Sequence, residues 1–202
     1  MIRLTALKYL KKGGWFIPFK VRGSSCIHIG KNVSLQLGSR LVLGADTNLP
    51  LISAQVTNIY FDDYSSIEIG ASVVIGPGVN LITKRSAKLK IGKNTYFTSD
   101  AHIEVTTFVE IGSDCAISWG VTIIDDHHHQ LLPINESKPI IESSVIIGNH
   151  VWIGCNVTIL KGSVIGDNCV IAAGSVVNGT FPDNTLIGGN PARALKTNIS
   201  WK

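Results

Sequence analysis

Aromatic residues and charges are scarce in this chain of 202 residues: 7% are aromatic, 16% are charged, and there is one methionine. The 45% hydrophobic content therefore rests on Ile, Val, Leu and Ala, and such residues fit stacked strands better than helices. No apolar run approaches the roughly 20 residues of a membrane span. The first residues lack a long apolar stretch and a small-residue cleavage site, so no secretory signal is expected. Four cysteines, Cys26, Cys115, Cys155 and Cys169, show neither metal nor redox spacing, which points to a reduced compartment without a disulfide framework. Acids are missing from residues 1–22, which carry Arg3, Lys8, Lys11, Lys12, Lys20 and Arg22. The formal net charge is +4, so the six cations of this segment leave the remainder at −2. That balance argues against a nucleic-acid groove over the main body.

What the chain has instead is a short period. IGNHVW, IGCNVT, ILKGSV, IGDNCV and IAAGSV follow one another from Ile147, and Val177 opens the next unit. A small or β-branched residue sits four places after each opening aliphatic: Val151, Val157, Ser163, Cys169 and Ser175. A fixed six-residue repeat predicts a β-helix, a solenoid whose coils stack into one continuous core. Units of the same kind begin at Ile29, Leu35, Leu41, Ile69, Ile75, Ile91, Phe97, Ile103, Ile111, Ile117 and Ile123. Three units make a triangular coil of 18 residues, and the early spacing implies coils of 20 or 22. Segments 47–66 and 81–90 keep the pattern poorly and are expected to bulge. The chain is long enough for one such core and a small appendage.

The fourth place of the unit holds Asn32, Gly38, Ser72, Gly78, Asn94, Asp100, Asp114, Gly120, Asn156, Gly162, Asn168 and Gly174, with His150 in the same slot. These residue types tolerate positive φ, so a left-handed residue is expected at each corner. Places one and five face inward and place six faces outward, by strand alternation. Val151 and Ile153 then point in and Trp152 points out. Cys115 and Cys169 fall on the inward small place. From Ile123 the same register puts His127 inward and His128 outward.

The chain divides into an N-terminal basic cap (1–26), the β-helix (27–190) and a C-terminal cap (191–202). Within the first, residues 2–12 have apolar residues near helical spacing and read as a short basic amphipathic helix. It either caps the solenoid or rests on an anionic membrane surface through residues 1–22. Residues 180–190 leave the register, and a closing helix or strand follows Pro191. The longest interruption, about 129–144, contains two prolines and begins directly after the histidine cluster; long loops in compact solenoids are usually functional.

IIGNHVWIGCNVTILKGSVIGDNCVIAAGSVV, followed by TLIGGNPARALK, resembles the left-handed β-helix, hexapeptide-repeat acyltransferases. The resemblance is to the sugar and polysaccharide O-acetyltransferases related to galactoside and xenobiotic acetyltransferases. It is strong over 145–196, rests on the repeat alone over 27–128, and does not reach the first 26 residues. It implies an all-β, left-handed fold, a homotrimer, and acetyl-CoA lying between neighbouring subunits. The acceptor it implies is a carbohydrate hydroxyl, as in surface polysaccharide, O-antigen or capsule sugars. It also implies a cytoplasmic location, including the inner face of the membrane, with no nucleic-acid partner and no metal.

VTIIDDHHHQ resembles the family segment in which an aspartate precedes the catalytic histidine. The resemblance implies His128 as the base, with His127 and His129 as alternatives, and Asp125 or Asp126 as the carboxylate that orients it. Trp152 is then the wall of the acceptor site. Gly154, Cys155, Ala172, Ala173 and Gly174 offer a small-residue border for the pantetheine arm, Cys155 and Ala173 one coil apart. Asn178 and Gly179 stand where many relatives have threonine and lysine, a departure at a phosphate contact. Lys196, Arg193 and Lys161 are the basic candidates for phosphate, although Lys161 also fits plain solvation. Taken alone, three histidines in a row also fit a solvated loop tip or an adventitious metal site, and His28, His102 and His150 read as structural. A γ-class carbonic-anhydrase-like metalloprotein and an N-acyltransferase of amino sugars are the competing activities on the same fold. The first needs three imidazoles on one ion, whereas adjacent histidines on a strand point to opposite faces.

Overall fold

The computed structural model describes residues 2–5, 19–21, 24–39, 41–44, 56–127, 129 and 144–202. Every regular element among them is a strand. The strands form three sheets, which are the faces of a left-handed, three-sided prism. Such left-handed crossovers are rare, because twisted strands favour the right-handed connection. The first face runs from Ser24–Ile29 through Thr57–Phe61, Asn80–Thr83, His102–Val105, Thr122–Ile124 and Thr158–Ile159 to Val176–Val177. The second runs from Ser34–Leu37 to Thr180–Phe181, and the third from Phe19–Val21 through Trp152–Ile153 to Thr185–Gly189. Corner I joins the first face to the second, corner II the second to the third, and corner III the third back to the first.

Ladder partners give the coil lengths. Ile59 pairs with Leu81 and Leu81 with Ile103, 22 residues apart; Ile103 pairs with Ile123, 20 apart. Ile153 pairs with Ile171 at 18, and Ile171 with Ile187 at 16. The long coils carry three inward side chains on the first and second faces (Val79, Leu81, Thr83; Ala87, Leu89, Ile91), and the later coils carry two (Val157, Ile159; Ser163, Ile165). The prism therefore tapers towards its C-terminal end. All these inward side chains are buried in one aliphatic core, and each fully buried Ile, Leu or Val contributes about 1.5–3 kcal/mol.

The left-handed corner residues are found where the repeat predicts them, with φ between 53° and 77° at eleven of the twelve named positions and at His150. Gly38 is the exception. Leu37 pairs with Ile69 and Leu43 with Ile75, so the units around 35–44 are shifted by two from the phase read in the sequence. Gly38 thus aligns with Gly70, where a side chain would strike the backbone of the next coil, 2.6 Å from Ala71 N. The longer second face absorbs the two extra residues.

Other expectations are also corrected. Of the segment 47–66, residues 47–55 lie outside the described residues, and the coil that contains them spans 32 residues from Ile27 to its partner Ile59, in keeping with an excursion; residues 57–66 and 81–90 do not bulge and are regular, longer sides of the 22-residue coils. Ile2–Thr5 is a strand, not part of a helix, and pairs antiparallel with Ser24–Ile27. The unpaired N–H and C=O groups of the first face favour a strand there over the helix that spacing alone suggests. The ladder also starts before residue 27, since Phe19–Val21 pairs with Leu41–Leu43. Residues 6–18 lie outside the described residues. At the other end Ala192–Thr197 folds back antiparallel on Thr185–Gly189 and covers the last exposed strand of the third face. No helix among the described residues is long and apolar enough to cross a membrane.

Candidate active site

The histidine segment leaves the first face at corner I. The inward places of this face are Val121 and Ile123, and the next is Asp125, fully buried in the slot that Val105 and Thr83 fill below it. One carboxylate oxygen accepts from Thr106 N at 2.7 Å; the other accepts from Thr107 N and Phe108 N, each at 2.7 Å. In lower coils the ladder itself supplies such acceptors, as when Lys88 N donates to Thr107 O at 2.9 Å. Above corner I the chain departs for the loop, and Asp125 takes over. It is an anionic tie holding three corner N–H groups, and charge-assisted bonds of this kind are stronger than neutral ones. Its two oxygens are thus engaged by backbone, a structural role that stands beside the ring-orienting one the resemblance implies for Asp125 or Asp126. Asp126 beside it is half-buried and has a partner of its own. His127 is half-buried with Nε2 shielded, in line with its inward register, and His129 is exposed. His128 and the loop at 130–143 lie outside the described residues.

The small-residue border lies at corner III. Gly154 is buried, and a Cβ there would come within 2.7 Å of Ala173 N, so the close stacking of the two coils requires glycine. Cys155 is half-buried and Ala173 exposed, one above the other; Ala172 is half-buried. Trp119 occupies the same column below Cys155, is 49% exposed, and its carbonyl accepts from Asn156 N at 2.9 Å. Trp119 is not among the residues expected at the site from the sequence. The available signal is its place in ISWGVT, the third, which is that of Cys155 in IGCNVT.

Trp152 points outward from the third face, as strand alternation requires, and is 44% exposed. A second indole leans on it. Trp201 lies with its centroid 6.1 Å from that of Trp152, at 45°, and stacks on His150 at 4.3 Å and 7°. Trp201 Nε1 donates to His150 O at 2.7 Å, and His150 Nδ1 lies 3.0 Å from Asn168 Oδ1. The C-terminal tail is thereby pinned to corner II beside Trp152. Nothing in the repeat announces this contact, since residue 201 lies beyond the last coil. The remaining histidines are structural in the same sense: His28 stacks on Tyr60 at 4.4 Å, and His102 Nε2 is 3.4 Å from Glu104.

The candidate residues thus fall into two groups, which one chain does not bring together. Asp125 and His127 belong to corner I, as do Asn178, Gly179 and Lys161 higher up. Trp152, Gly154, Cys155, Ala172 and Ala173 belong to the third face and corner III. Exposed Lys196 and Arg193 lie on the C-terminal strand that covers this face, and Arg193 Nη1 donates to Ala192 O at 2.8 Å. Among the described residues no three His, Cys, Asp or Glu side chains converge on a point where an ion would bind. The thiols of Cys115 and Cys169 are core fillers. Burial pushes Cys115 up to about 11 and raises Cys169, so both stay protonated at neutral pH.

Three comparisons bear on this geometry. Residues 144–179 match the bacterial transferase hexapeptide family (six repeats). The protein named "Putative lipopolysaccharide biosynthesis O-acetyl transferase WbbJ" of Escherichia coli K12 is 33% identical over 146 residues, covering 68% of this chain and 74% of its own length. Among solved structures, the polySia-specific acetyltransferase NeuO superposes with a TM-score of 0.63 at 23% identity, over 91% of this chain and 82% of that one. A hexapeptide-repeat acetyltransferase of Vibrio cholerae O1 biovar eltor, complexed with acetyl coenzyme A, superposes with a TM-score of 0.51 at 26% identity, over 67% and 71%.

Proposed function

Because this chain belongs to the hexapeptide-repeat acyltransferases of the sugar and polysaccharide O-acetyltransferase type, we propose that it carries an acetyl group from acetyl-CoA to a carbohydrate hydroxyl in a cleft between two copies of itself, with His128 as general base. The observation that carries this reading is the division into half-sites. A histidine corner and a corner of small residues beside an exposed tryptophan are complementary parts, and a rotationally symmetric assembly brings corner I of one copy to corner III of the next. The V. cholerae enzyme complexed with acetyl coenzyme A supports the choice of donor.

The chemistry follows from those parts. A sugar hydroxyl is a weak nucleophile at neutral pH, and a neutral imidazole takes its proton as the oxygen attacks the thioester carbonyl. A backbone N–H stabilises the oxyanion. The imidazolium then protonates the departing thiolate, so no covalent enzyme intermediate is needed. Asp125 acts on this step indirectly: it fixes the segment carrying the base to corner I. Asp126 is left as the carboxylate nearer in sequence to the imidazole. The pantetheine arm runs along Cys155 and Ala173, and Arg193, Lys196 and Asn178 receive the phosphate end.

The test is thiol release from acetyl-CoA with a panel of glycans, amino sugars and nucleotide sugars, followed by subunit mixing. His128→Ala chains should be nearly inactive, and Cys155→Phe chains should turn over about tenfold more slowly when acetyl-CoA is held well below the wild-type KM. Refolded together, they should regain activity, because mixed assemblies contain cleft pairs with both half-sites intact. No recovery from a mixture that does co-assemble would mean that the two residues do not meet across a subunit boundary.

A further inference from the structure

Below the histidine corner lies a groove of about 720 Å³. Its charged lining is Arg85, Lys88, Lys90 and Glu68, and its wall includes Thr106, Thr107 and Phe108, the residues whose N–H groups Asp125 holds. The groove and the histidine segment are thus one unit, joined by three hydrogen bonds. Three cations and one anion line the groove, with Glu110 beside Lys90 and Asp63 beside Arg85.

The ladder decides which cations are free to act. Lys90 is flanked on the second face by Glu68 below and Glu110 above, so its charge is offset. Lys88 is flanked by Ser66 and Phe108, which offset nothing, and its side chain is exposed. Arg85 is held over the Tyr64 ring at 4.7 Å and lies 3.8 Å from Asp63, a distance too long for a hydrogen bond. Its guanidinium is therefore oriented and its charge is partly offset by Asp63, while its N–H donors remain available. An Arg fork beside an unpaired Lys is a receptor for a carboxylate or a phosphate.

We propose that this groove binds an anionic group of the acceptor, so that the preferred acceptor is a glycan bearing carboxylates or phosphates and not a neutral sugar. The inference rests on the acetyltransferase reading for its catalytic arm, and its binding arm is independent of that reading. Arg85 and Lys88 are specificity-determining residues. They hold the charge of one sugar unit while the hydroxyl to be acetylated reaches the histidine above.

A matched pair of acceptors isolates the charge: oligogalacturonate and its fully methyl-esterified form, which keep the same free hydroxyls. Oligosialic acid and a teichoic-type glycerol-phosphate oligomer extend the test to a second carboxylate and to phosphate. The wild type should take the anionic members with a KM about tenfold lower than the neutral ester, with the difference shrinking as salt is raised. In Arg85→Glu/Lys88→Glu the KM for oligogalacturonate should rise to that of the ester, while the KM for acetyl-CoA stays unmoved; Lys88→Gln should fall between. Without acetyl-CoA, oligogalacturonate or one of the other anions should perturb the backbone amide resonances of Thr106–Phe108 in wild type and not in the double variant. Anion binding at these residues without any thiol release would uphold the groove and refute the acetyltransferase reading. Acetylation of ester and acid at equal KM, an unmoved KM in the double variant, or an absence of binding by every anion would overturn the groove.

Discussion

Corner III and corner I of the same prism are built on different rules. Corner III carries its small-residue border in the strict late coils, 18 residues long, where Gly154, Cys155, Ala172 and Ala173 sit at fixed places of the repeat. Corner I carries the histidine segment and the cationic groove across the region where coils shorten from 22 to 20 residues, and there the repeat is broken by a departing loop. One side is thus set by the repeat, in keeping with the proposal that it receives a coenzyme that does not change. The other departs from the repeat at Arg85, Lys88, Asp125 and the histidines, and its groove suits an acceptor particular to this chain.

Substitutions at four positions break or sharpen that contrast. The largest effect is expected at corner I: His128→Ala should lower kcat about 10²–10⁴-fold, as loss of a general base does, with the KM for acetyl-CoA unchanged in the thiol-release assay. Asp125→Ala follows. It strands three N–H groups and should cost about 3 kcal/mol in urea unfolding; Asp125→Asn should recover part of the stability. Equal stability of Asp125→Ala and wild type would show that corner I does not depend on this tie. At corner III, Cys155→Phe overfills a half-buried column, a change that costs about 1–3 kcal/mol. It should raise the KM for acetyl-CoA about tenfold and leave acceptor KM alone, the mirror image of the result expected in the cationic groove. The smallest effect belongs to the tail. Trp201→Ala removes a stacked contact of about 1 kcal/mol and should shift the fluorescence of Trp152, while Trp201→Phe should retain most of the stacking.

The sequence discloses these two corners unequally. Over 147–177 the phase, the inward residues and the left-handed positions are all readable, because a coil of three six-residue sides admits one arrangement of each residue type. Trp152 is readable as outward for the same reason. Gly38 is misplaced because the second face is two residues longer in the early coils, and a six-residue ruler has no mark for that. Asp125 resembles a catalytic helper in sequence, next to three histidines. Its actual partners, Thr106 to Phe108, lie 17 to 19 residues away, one coil below. The strand at Ile2–Thr5 and the Trp201 contact depend on what a neighbouring segment leaves uncovered, and local spacing does not record that.

The narrowing of the prism also limits how such a molecule can be lengthened. A duplicated eighteen-residue cassette would seat cleanly among the upper turns, where successive triangles have equal sides. Spliced beneath Val105, it would place a small triangle between two larger ones and leave hollows along two of its sides. Growth by duplication is therefore open near the small-residue border of corner III and closed near the cationic groove, where variation must proceed by exchanging single residues or loops.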